Sequence, residues 1–381
     1  MSSDFNERNS LARPQQRPDI LQTTLDDKIL VYDPEGRTAV TLNEPASVIW
    51  QLCNGEHSVA EIVEILQRAY PEAAATMPHE VDAGVLALLS HRVISLPRLG
   101  PGAATYDVEF GDATVRLEAD NAEAAHILEF LCASMATPAA NDPSATFRLG
   151  AAFTPNAMAI YRDDVMLFRS TAKSSVTAIF LERVLEYLIG VCTSGILLHA
   201  AAIARNGMAL ILPGNTGAGK TTLATWLVCR GFEYLTDELL SIDTEAMSVN
   251  GFARPLHLKK AALPLFAEMI DMGSDAVMES PLGSHLSPTR LGAQVMRFAR
   301  PCAVVLPEYR AGARFELRAL PKAQAATRLM GYVINARKNQ QHGFDRVSGL
   351  VESVPAFMMT YADLEEAGAQ LETMLASFDC S

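Results

Sequence analysis

Residues 214–222 decide the fold of this chain, and they read Gly214-Asn215-Thr216-Gly217-Ala218-Gly219-Lys220-Thr221-Thr222. The stretch satisfies the pattern Gly-x-x-x-x-Gly-Lys-[Ser/Thr], in which glycines and a lysine form a phosphate-binding loop. The apolar run 208–212 before it predicts a buried strand, and residues 222–229 after it predict a helix that ends at Arg230-Gly231. Strand, glycine loop and helix follow in the order that such a loop needs. The sequence therefore predicts an α/β nucleotide-binding domain.

The chemistry expected of the loop follows from its residue types. Glycines let successive backbone N–H groups point at phosphate oxygens, and the positive end of the helix dipole adds to the attraction. Lys220 is expected to reach the β- and γ-phosphates, Thr221 to ligate Mg²⁺ and Thr222 to contact the α-phosphate. All nine residues are candidate nucleotide-binding residues, with ATP and Mg²⁺ as the expected cofactors. GTP is not excluded, because no motif in the sequence defines the base pocket.

The bulk composition excludes several classes of protein. The chain has 381 residues and a formal net charge of -13, which argues against non-specific nucleic-acid binding and against an anionic membrane as partner. The six cysteines are scattered without a Cys-x-x-Cys pair, as in proteins of a reducing cytoplasm, where we expect this protein to lie. No apolar run reaches the ~18 residues of a membrane span, and no secretory signal is recognisable.

The N-terminal part of the sequence predicts a small α+β module. Residues 1–20 are polar, and we expect a disordered tail. Two apolar runs then flank Asp33-Pro34-Glu35-Gly36, which predicts a hairpin turn. Helices are expected from Asn43 to Cys53, from the capping box Ser58-Val59-Ala60-Glu61 to Tyr70, and from Glu80 to Arg92. The predicted domains are the tail 1–20, the module 21–98, and a domain 104–381 made of an N-terminal subregion 104–190 and a nucleotide-binding core 191–381.

A phosphoryl-transfer site also needs acids close to the phosphate loop. Asp237 and Glu238 follow a short strand directly after the loop helix, and the carboxyl ends of strands line the ligand crevice of open α/β sheets. His199 ends another apolar run before the loop, although a lone histidine there is more often a structural residue. Other candidates are weaker. Glu308 ends a further apolar strand, and Arg254, Lys259 and Lys260 either face the phosphates or a substrate, or lie on the surface.

Residues 195–243 resemble the core of HPr kinase/phosphorylase-type proteins. The resemblance lies in His199 one strand before the loop, in the loop itself and in Leu235-Thr236-Asp237-Glu238 after the helix, and it extends over roughly residues 105 to 375. It implies a P-loop kinase domain like the HPr kinase C-terminal domain, which phosphorylates side-chain hydroxyls. It also implies Asp237 as the base, Glu238 as metal ligand together with Thr221 and Asp237, His199 as the supporting residue, and a possible homo-oligomer.

The sequence departs from that family at three points. The acidic pair is Asp-Glu where the family usually has Asp-Asp, and Ala200 replaces the glycine after the histidine. The later signature Glu-Ile-Arg-Gly-x-Gly, associated with the phosphorylase reaction, is absent from the sequence. The resemblance therefore implies kinase activity, and we do not expect the reverse, phosphorolytic reaction.

Residues 24–97 resemble PqqD, the peptide chaperone of pyrroloquinoline quinone biosynthesis. The matching residues are Tyr32-Asp33-Pro34, Leu42-Asn43, the run 49–55 and Val59-Ala60-Glu61-Ile62. The resemblance implies a winged-helix-like module that takes the leader part of a precursor peptide as an added strand at its sheet edge, next to a helix.

Three functions remain open from the sequence. The first is an ATP-dependent kinase for a Ser or Thr hydroxyl on a ribosomally made precursor peptide, held through its leader by the N-terminal module. The second is a kinase for a small hydroxylated metabolite. The third is a non-catalytic nucleotide-dependent switch or scaffold in a peptide-modification pathway.

Overall fold

A computed structural model describes residues 10–98, 102–138, 141–153, 156–335 and 340–378. Its contacts divide the chain into two compact units. The first unit comprises Met1–Thr105, Arg116–Leu128 and Ala145–Phe180, and the second comprises Tyr106–Val115, Glu129–Ser144 and Leu181–Ser381. The chain is a mixed α/β protein. No helix within the described ranges combines the length and the apolar character needed to cross a bilayer.

The first half of the chain alternates short strands with helices. Its strands are β1 Gln15–Gln16, β2 Leu21–Leu25, β3 Lys28–Asp33, β4 Thr38–Leu42, β5 Ile94–Ser95, β6 Ala104–Phe110, β7 Ala113–Ala119, β8 Ala145–Ala151, β9 Met158–Arg162 and β10 Val165–Ser170. Its helices are α1 Glu44–Leu52, α2 Val59–Ala69, α3 Met77–Ser90, α4 Ala122–Cys132 and α5 Lys173–Val191, with a 3₁₀ turn at Pro71–Ala73.

The predicted hairpin and three helices of the N-terminal module are confirmed. β3 pairs with both β2 and β4, and Asp33 faces Thr38 across the predicted turn. Asn43 caps α1 through a hydrogen bond from the Ala46 amide, while Ser58 and Glu61 form the capping box of α2. α3 begins at Met77, three residues before the predicted Glu80.

The prediction of a disordered tail through residue 20 is wrong for residues 10–20, and residues 1–9 lie outside the described residues. β1 pairs with β5, and the Arg17 side chain is buried. Its guanidinium donates to the Arg92 carbonyl over 2.7 Å and pairs with the buried Asp33 at 3.4 Å. The polar composition of this segment indicated disorder. In the fold, however, the polar side chain of Arg17 is buried and contacts polar groups of the module.

The core of the first unit extends beyond the predicted module. Val31, Trp50 and Val85 pack in one cluster with residues of 152–166, which include Phe153, Tyr161 and Met166. Phe153 follows β8, Tyr161 lies in β9 and Met166 in β10, and these three strands form consecutive antiparallel pairs. The first compact unit therefore includes residues from beyond the domain boundary that we predicted near residue 100. The predicted domains 21–98 and 104–381 stay a prediction.

The second unit is built on a larger sheet. Its strands are β11 Ile196–Arg205, β12 Met208–Pro213, β13 Glu233–Thr236, β14 Leu239–Asp243, β15 Ser248–Gly251, β16 Leu256–Lys259, β17 Val277–Ser280, β18 Gly283–Leu286, β19 Phe298–Tyr309, β20 Glu316–Ala319 and β21 Ala356–Tyr361. Its helices are α6 Lys220–Cys229, α7 Lys322–Met330, α8 Gln340–Ser353 and α9 Leu364–Phe378, with a 3₁₀ turn at Leu263–Phe266.

Helices cover both faces of the sheet. The order runs β12-β11-β14-β15-β19-β21-β20, with β13 paired to β11 and β12 also paired to β19. Side chains of β11 alternate between two cores, because successive residues of a strand point to opposite faces. Ala201 and Ile203 pack with α6 and α9, whereas Ala200 and Ala202 pack with α7 and α8. His199 shares the strand parity of Ala201, so it lies on the α6 face.

A glycine lets α9 approach α6 closely, which gives a testable prediction. A Cβ atom built on Gly368 would lie 2.3 Å from the ring of the buried Trp226. We expect Gly368→Ala to lower the free energy of unfolding by about 1–3 kcal/mol, because the overpacked ring must shift. Urea unfolding followed by circular dichroism measures the change.

Gly349→Ala in α8 is the matched control, since a Cβ there would meet its nearest neighbour at 4.0 Å, an ordinary contact. This variant should equal the wild type or gain up to about 1 kcal/mol from helix propensity. Equal stability of the two variants would contradict the packing argument.

Candidate functional site

The glycine loop joins β12 to α6, so the predicted strand-loop-helix order is confirmed, with the helix beginning two residues earlier than predicted. Gly217 and Gly219 have φ angles of 91° and 94°, which non-glycine residues rarely adopt. Gly219 has a second constraint, because a Cβ atom there would lie 1.9 Å from the Tyr361 hydroxyl. Backbone conformation and close packing thus both require glycine at position 219.

Lys220 lies folded against its own loop. Its side chain is 6% exposed, and Nζ donates to the Gly214 carbonyl over 2.6 Å and to the Asn215 carbonyl over 3.2 Å. Nζ also lies 3.1 Å from His199 Nε2. Burial lowers the pKa of Lys220, and the nearby Glu238 and Asp237 carboxylates oppose that shift. The two loop carbonyls therefore bind the lysine ammonium group, and a bound phosphate would have to compete with them for it.

Strand directions bring the acidic pair to the loop. β12 and β13 both run antiparallel to β11, so both end at the same edge of the sheet. Pro213, the last residue of β12, faces Ala200, and Thr236, the last residue of β13, faces Ala202. The loop and Asp237 thus leave the sheet side by side, as the sequence analysis expected from the strand ends.

Asp237 is 1% exposed and its two oxygens accept hydrogen bonds on different sides. Oδ2 accepts from the Thr221 hydroxyl and from the His257 amide, each over 3.3 Å. Oδ1 accepts from Arg254 Nε over 3.1 Å and from the Tyr234 hydroxyl over 3.4 Å. The predicted metal ligands Thr221 and Asp237 are therefore in direct contact.

Glu238 lies between a histidine and an arginine. Oε1 is 3.1 Å from His199 Nδ1, and Oε2 accepts from Arg254 over 3.0 Å. Burial alone would raise the pKa of Glu238, but the hydrogen bond from His199 and the charges of Arg254 and His199 outweigh it and lower the pKa to about 2. Both oxygens are engaged, so binding a metal through Glu238 would require one of these contacts to break.

Arg254, one of the weaker candidates from the sequence, is central to the site. Its guanidinium bridges Asp237 and Glu238. Burial opposes the charge, but the Asp237 and Glu238 carboxylates hold the pKa of Arg254 above its usual range. Tyr234 was not predicted from the sequence, and its hydroxyl donates to the Arg254 carbonyl over 2.8 Å.

These residues surround a cavity of about 680 Å³. One wall holds the acids and the segment that follows Arg254, including His257, Lys259 and Leu265. The ends of β19 and β21 also line the cavity, and there Tyr309 and Tyr361 meet edge to face with centroids 5.7 Å apart. The structure thus brings His199, Lys220, Thr221, Asp237 and Glu238 together, whereas Glu308 pairs with Arg310 outside this cavity.

The donors present fit a magnesium nucleotide better than a metal held by protein alone. Within the described residues no three His, Cys, Asp or Glu side chains form a metal-binding group. A hydroxyl and a carboxylate in contact, as at Thr221 and Asp237, are the oxygen ligands that Mg²⁺ takes together with substrate phosphates and water. The roles of the loop, Asp237, Glu238 and His199 toward ATP and Mg²⁺ stay predictions.

Comparison with known proteins identifies one part of the chain. The family described as "Coenzyme PQQ synthesis protein D (PqqD)" matches residues 28–94. Among solved structures, the Hpr(Ser) kinase/phosphatase from Coxiella burnetii is similar at 11% sequence identity with a TM-score of 0.27, over 48% of this chain and 96% of that one. A likeness at this TM-score does not establish a shared fold. No curated protein matches the chain.

The lowered pKa of Glu238 predicts a pH dependence of stability. Because the folded-state pKa of about 2 lies below the ordinary 4.5, ionised Glu238 stabilises the fold above pH 4.5, and this contribution is lost as the pH falls toward about 2. We expect Glu238→Gln to be less stable than the wild type near neutral pH, with a difference that shrinks below pH 4.5. Urea unfolding at about pH 7, 5 and 3 measures it.

Glu72→Gln, at an exposed position, controls for the loss of a carboxylate as such. Its stability should follow that of the wild type at each pH. A Glu238→Gln difference that stays constant down to about pH 3 would show that the ion pairs do not depend on the charge of Glu238.

Proposed function

We propose that this protein is an ATP-dependent kinase that phosphorylates a Ser or Thr hydroxyl on a ribosomally made precursor peptide, which the PqqD-like domain recruits through its leader. The observation that carries the proposal is the presence, in one chain, of the PqqD match at 28–94 and of the loop that meets the Asp237-Glu238 pair. The first suggests a place in peptide modification. The second is suited to phosphoryl transfer.

The transfer we propose breaks the bond between the γ-phosphorus and the β–γ bridging oxygen and forms a bond from the acceptor hydroxyl to that phosphorus. ADP leaves, and the hydroxyl proton passes to a carboxylate. Thr221 and Asp237 would hold Mg²⁺, which supplies positive charge to the transferring group. Lys220 would move from its loop carbonyls onto the β- and γ-phosphates.

Asp237 is our candidate for the proton acceptor, and Glu238 supports it through shared partners. Arg254 and Tyr234 fix the Asp237 carboxylate in one orientation, which general base catalysis requires. His199 connects Glu238 to Lys220, because its two ring nitrogens contact both. Oδ2 of Asp237 also accepts from the Thr221 hydroxyl, the other proposed metal ligand. The proposed roles of Asp237 as proton acceptor and as metal ligand therefore need separate tests.

The leader would bind along an open edge of the N-terminal sheet. β2 is an edge strand, and a groove of about 420 Å³ runs beside it, lined by Gln22, Thr24 and Trp50 among others. Leu21 and Leu25 on this strand are 61% and 58% exposed. An extended peptide added here would gain backbone hydrogen bonds from the strand and contacts from α1. Holding the leader raises the local concentration of the acceptor, so the catalytic site itself needs little affinity.

We predict that the full chain with ATP and Mg²⁺ transfers one phosphate to the precursor peptide encoded next to its gene, detected by mass spectrometry of the peptide. Lys220→Ala should abolish transfer, and Asp237→Asn should reduce it about 100-fold or more. Glu238→Gln should lose less than Asp237→Asn. ATP hydrolysis without phosphopeptide would instead support the switch or scaffold function.

Point substitutions at the sheet edge test whether the leader binds there. Deleting the N-terminal module is unsuitable, because residues 152–166 would lose their core partners. We expect Leu21→Asp with Leu25→Asp to raise KM for the precursor about tenfold and leave kcat unchanged, since both side chains are exposed in the free protein. Steady-state kinetics measure both constants.

Thr38→Asp with Thr41→Asp on the opposite edge strand β4 is the matched variant, because those side chains are exposed too. A raised KM in one variant alone assigns the leader to that edge. Unchanged KM in both variants, with transfer intact, would contradict leader recruitment through this sheet.

A further inference from the structure

Lys259 is a cation without an ion-pair partner among the described residues, and it lines the cavity beside the acidic pair. Arg254, by contrast, forms ion pairs with Asp237 and Glu238, so its charge is already balanced by these two carboxylates. Lys220 is reserved for the nucleotide phosphates in the proposed function. The cavity wall that continues from Arg254 therefore contains a positive charge that the transfer chemistry does not use.

The position of Lys259 is set by the strand that carries it. β16 pairs with β18, where Lys259 faces Gly283. A Cβ atom on Gly283 would lie 1.9 Å from the Leu258 carbonyl, so glycine is needed for this close pairing. At the other end of β16, the His257 amide donates to Asp237. Lys259 thus projects from a strand that is fixed directly to the acid.

The charge of Lys259 acts on two other side chains of the cavity, Lys220 and His257. Among the causes that lower the pKa of Lys220, burial comes first, and the charge of Lys259 contributes in the same direction. The same charge adds to burial and Arg254 in lowering the pKa of His257. Lys259 and His257 are two residues apart on one strand, so they lie on the same face.

The direction of phosphoryl transfer assigns this wall to the acceptor. The attacking and leaving oxygens lie roughly in line on opposite sides of the transferring phosphorus. In the proposed function Asp237 accepts the proton of the acceptor hydroxyl, so that hydroxyl lies beside Asp237 and the leaving oxygen lies on the far side of the phosphorus. Lys259 lies two strand residues, or about 7 Å, beyond the His257 amide that contacts Asp237. An extended acceptor peptide covers that distance in about two residues.

We propose that Lys259 binds a carboxylate that the acceptor peptide carries about two residues from the phosphorylated hydroxyl. The inference rests on the proposed function and adds the chemical class of its substrate, an acceptor with a nearby acidic group. The carboxylate comes either from an Asp or Glu side chain or from the end of the peptide chain. A cation at this place also offsets the repulsion between an acidic acceptor and the negative phosphates.

The test uses synthetic peptides with one central Ser in an Ala and Gly background, at millimolar concentration to replace the missing leader. Each flanking position carries in turn Asp, Asn or Lys, and a second set has the Ser near a free or an amidated chain end. We expect the wild type to prefer Asp over Asn about three- to fivefold in kcat/KM at the favoured position, or the free over the amidated end, as exposed ion pairs allow.

Lys259→Ala should remove this preference and leave KM for ATP unchanged, and Lys259→Glu should favour Lys peptides. Lys260→Ala is the matched control, because Lys260 is the next residue along the chain and does not line the cavity. Equal rates on Asp, Asn and both chain ends, or a Lys259→Ala effect on KM for ATP alone, would overturn the inference and leave the kinase proposal standing. No transfer to these peptides or to the natural precursor would overturn both.

Discussion

The ion pairs of Arg254 hold the site of the second unit together. Breaking a buried pair leaves an uncompensated charge, which costs several kcal/mol, so Arg254, Asp237 and Glu238 depend on one another. The pairs also join segments that are separate in the fold. The turn after β13 carries the acids, the segment before β16 carries the arginine, and the Thr221 hydroxyl connects both to the start of α6.

β11 provides the frame for this arrangement. Its first residues pair with β14 and its later residues with β12 and β13, so one strand sets the position of the loop and of the acids. His199 stands where the pairing changes, with Leu239 opposite on β14. The parity of the strand turns its side chain to the α6 face, toward Lys220. A change of one residue in this register would point His199 into the other core.

Features that depend on neighbouring residues could be predicted from the sequence, whereas contacts between distant segments could not. The glycine loop, its flanking strand and helix, and the capping box at Ser58 and Glu61 each depend on residues within one short window. Arg254 meets Asp237 across 17 positions, and Tyr361 meets Gly219 across more than a hundred, so no window shows either contact. The extended core of the first unit was missed for the same reason, because residues 152–166 join it from a distant part of the chain.

The glutamate at position 238 has a structural reason in this chain. Its carboxylate reaches His199 with one oxygen and Arg254 with the other. An aspartate, one methylene shorter, would not span both partners from the same backbone position. With Nδ1 of His199 donating to Glu238, Nε2 is free to accept from Lys220, so the glutamate selects the histidine tautomer that contacts the lysine. A glutamate at position 238 therefore keeps Lys220, His199 and the acidic pair in one connected network.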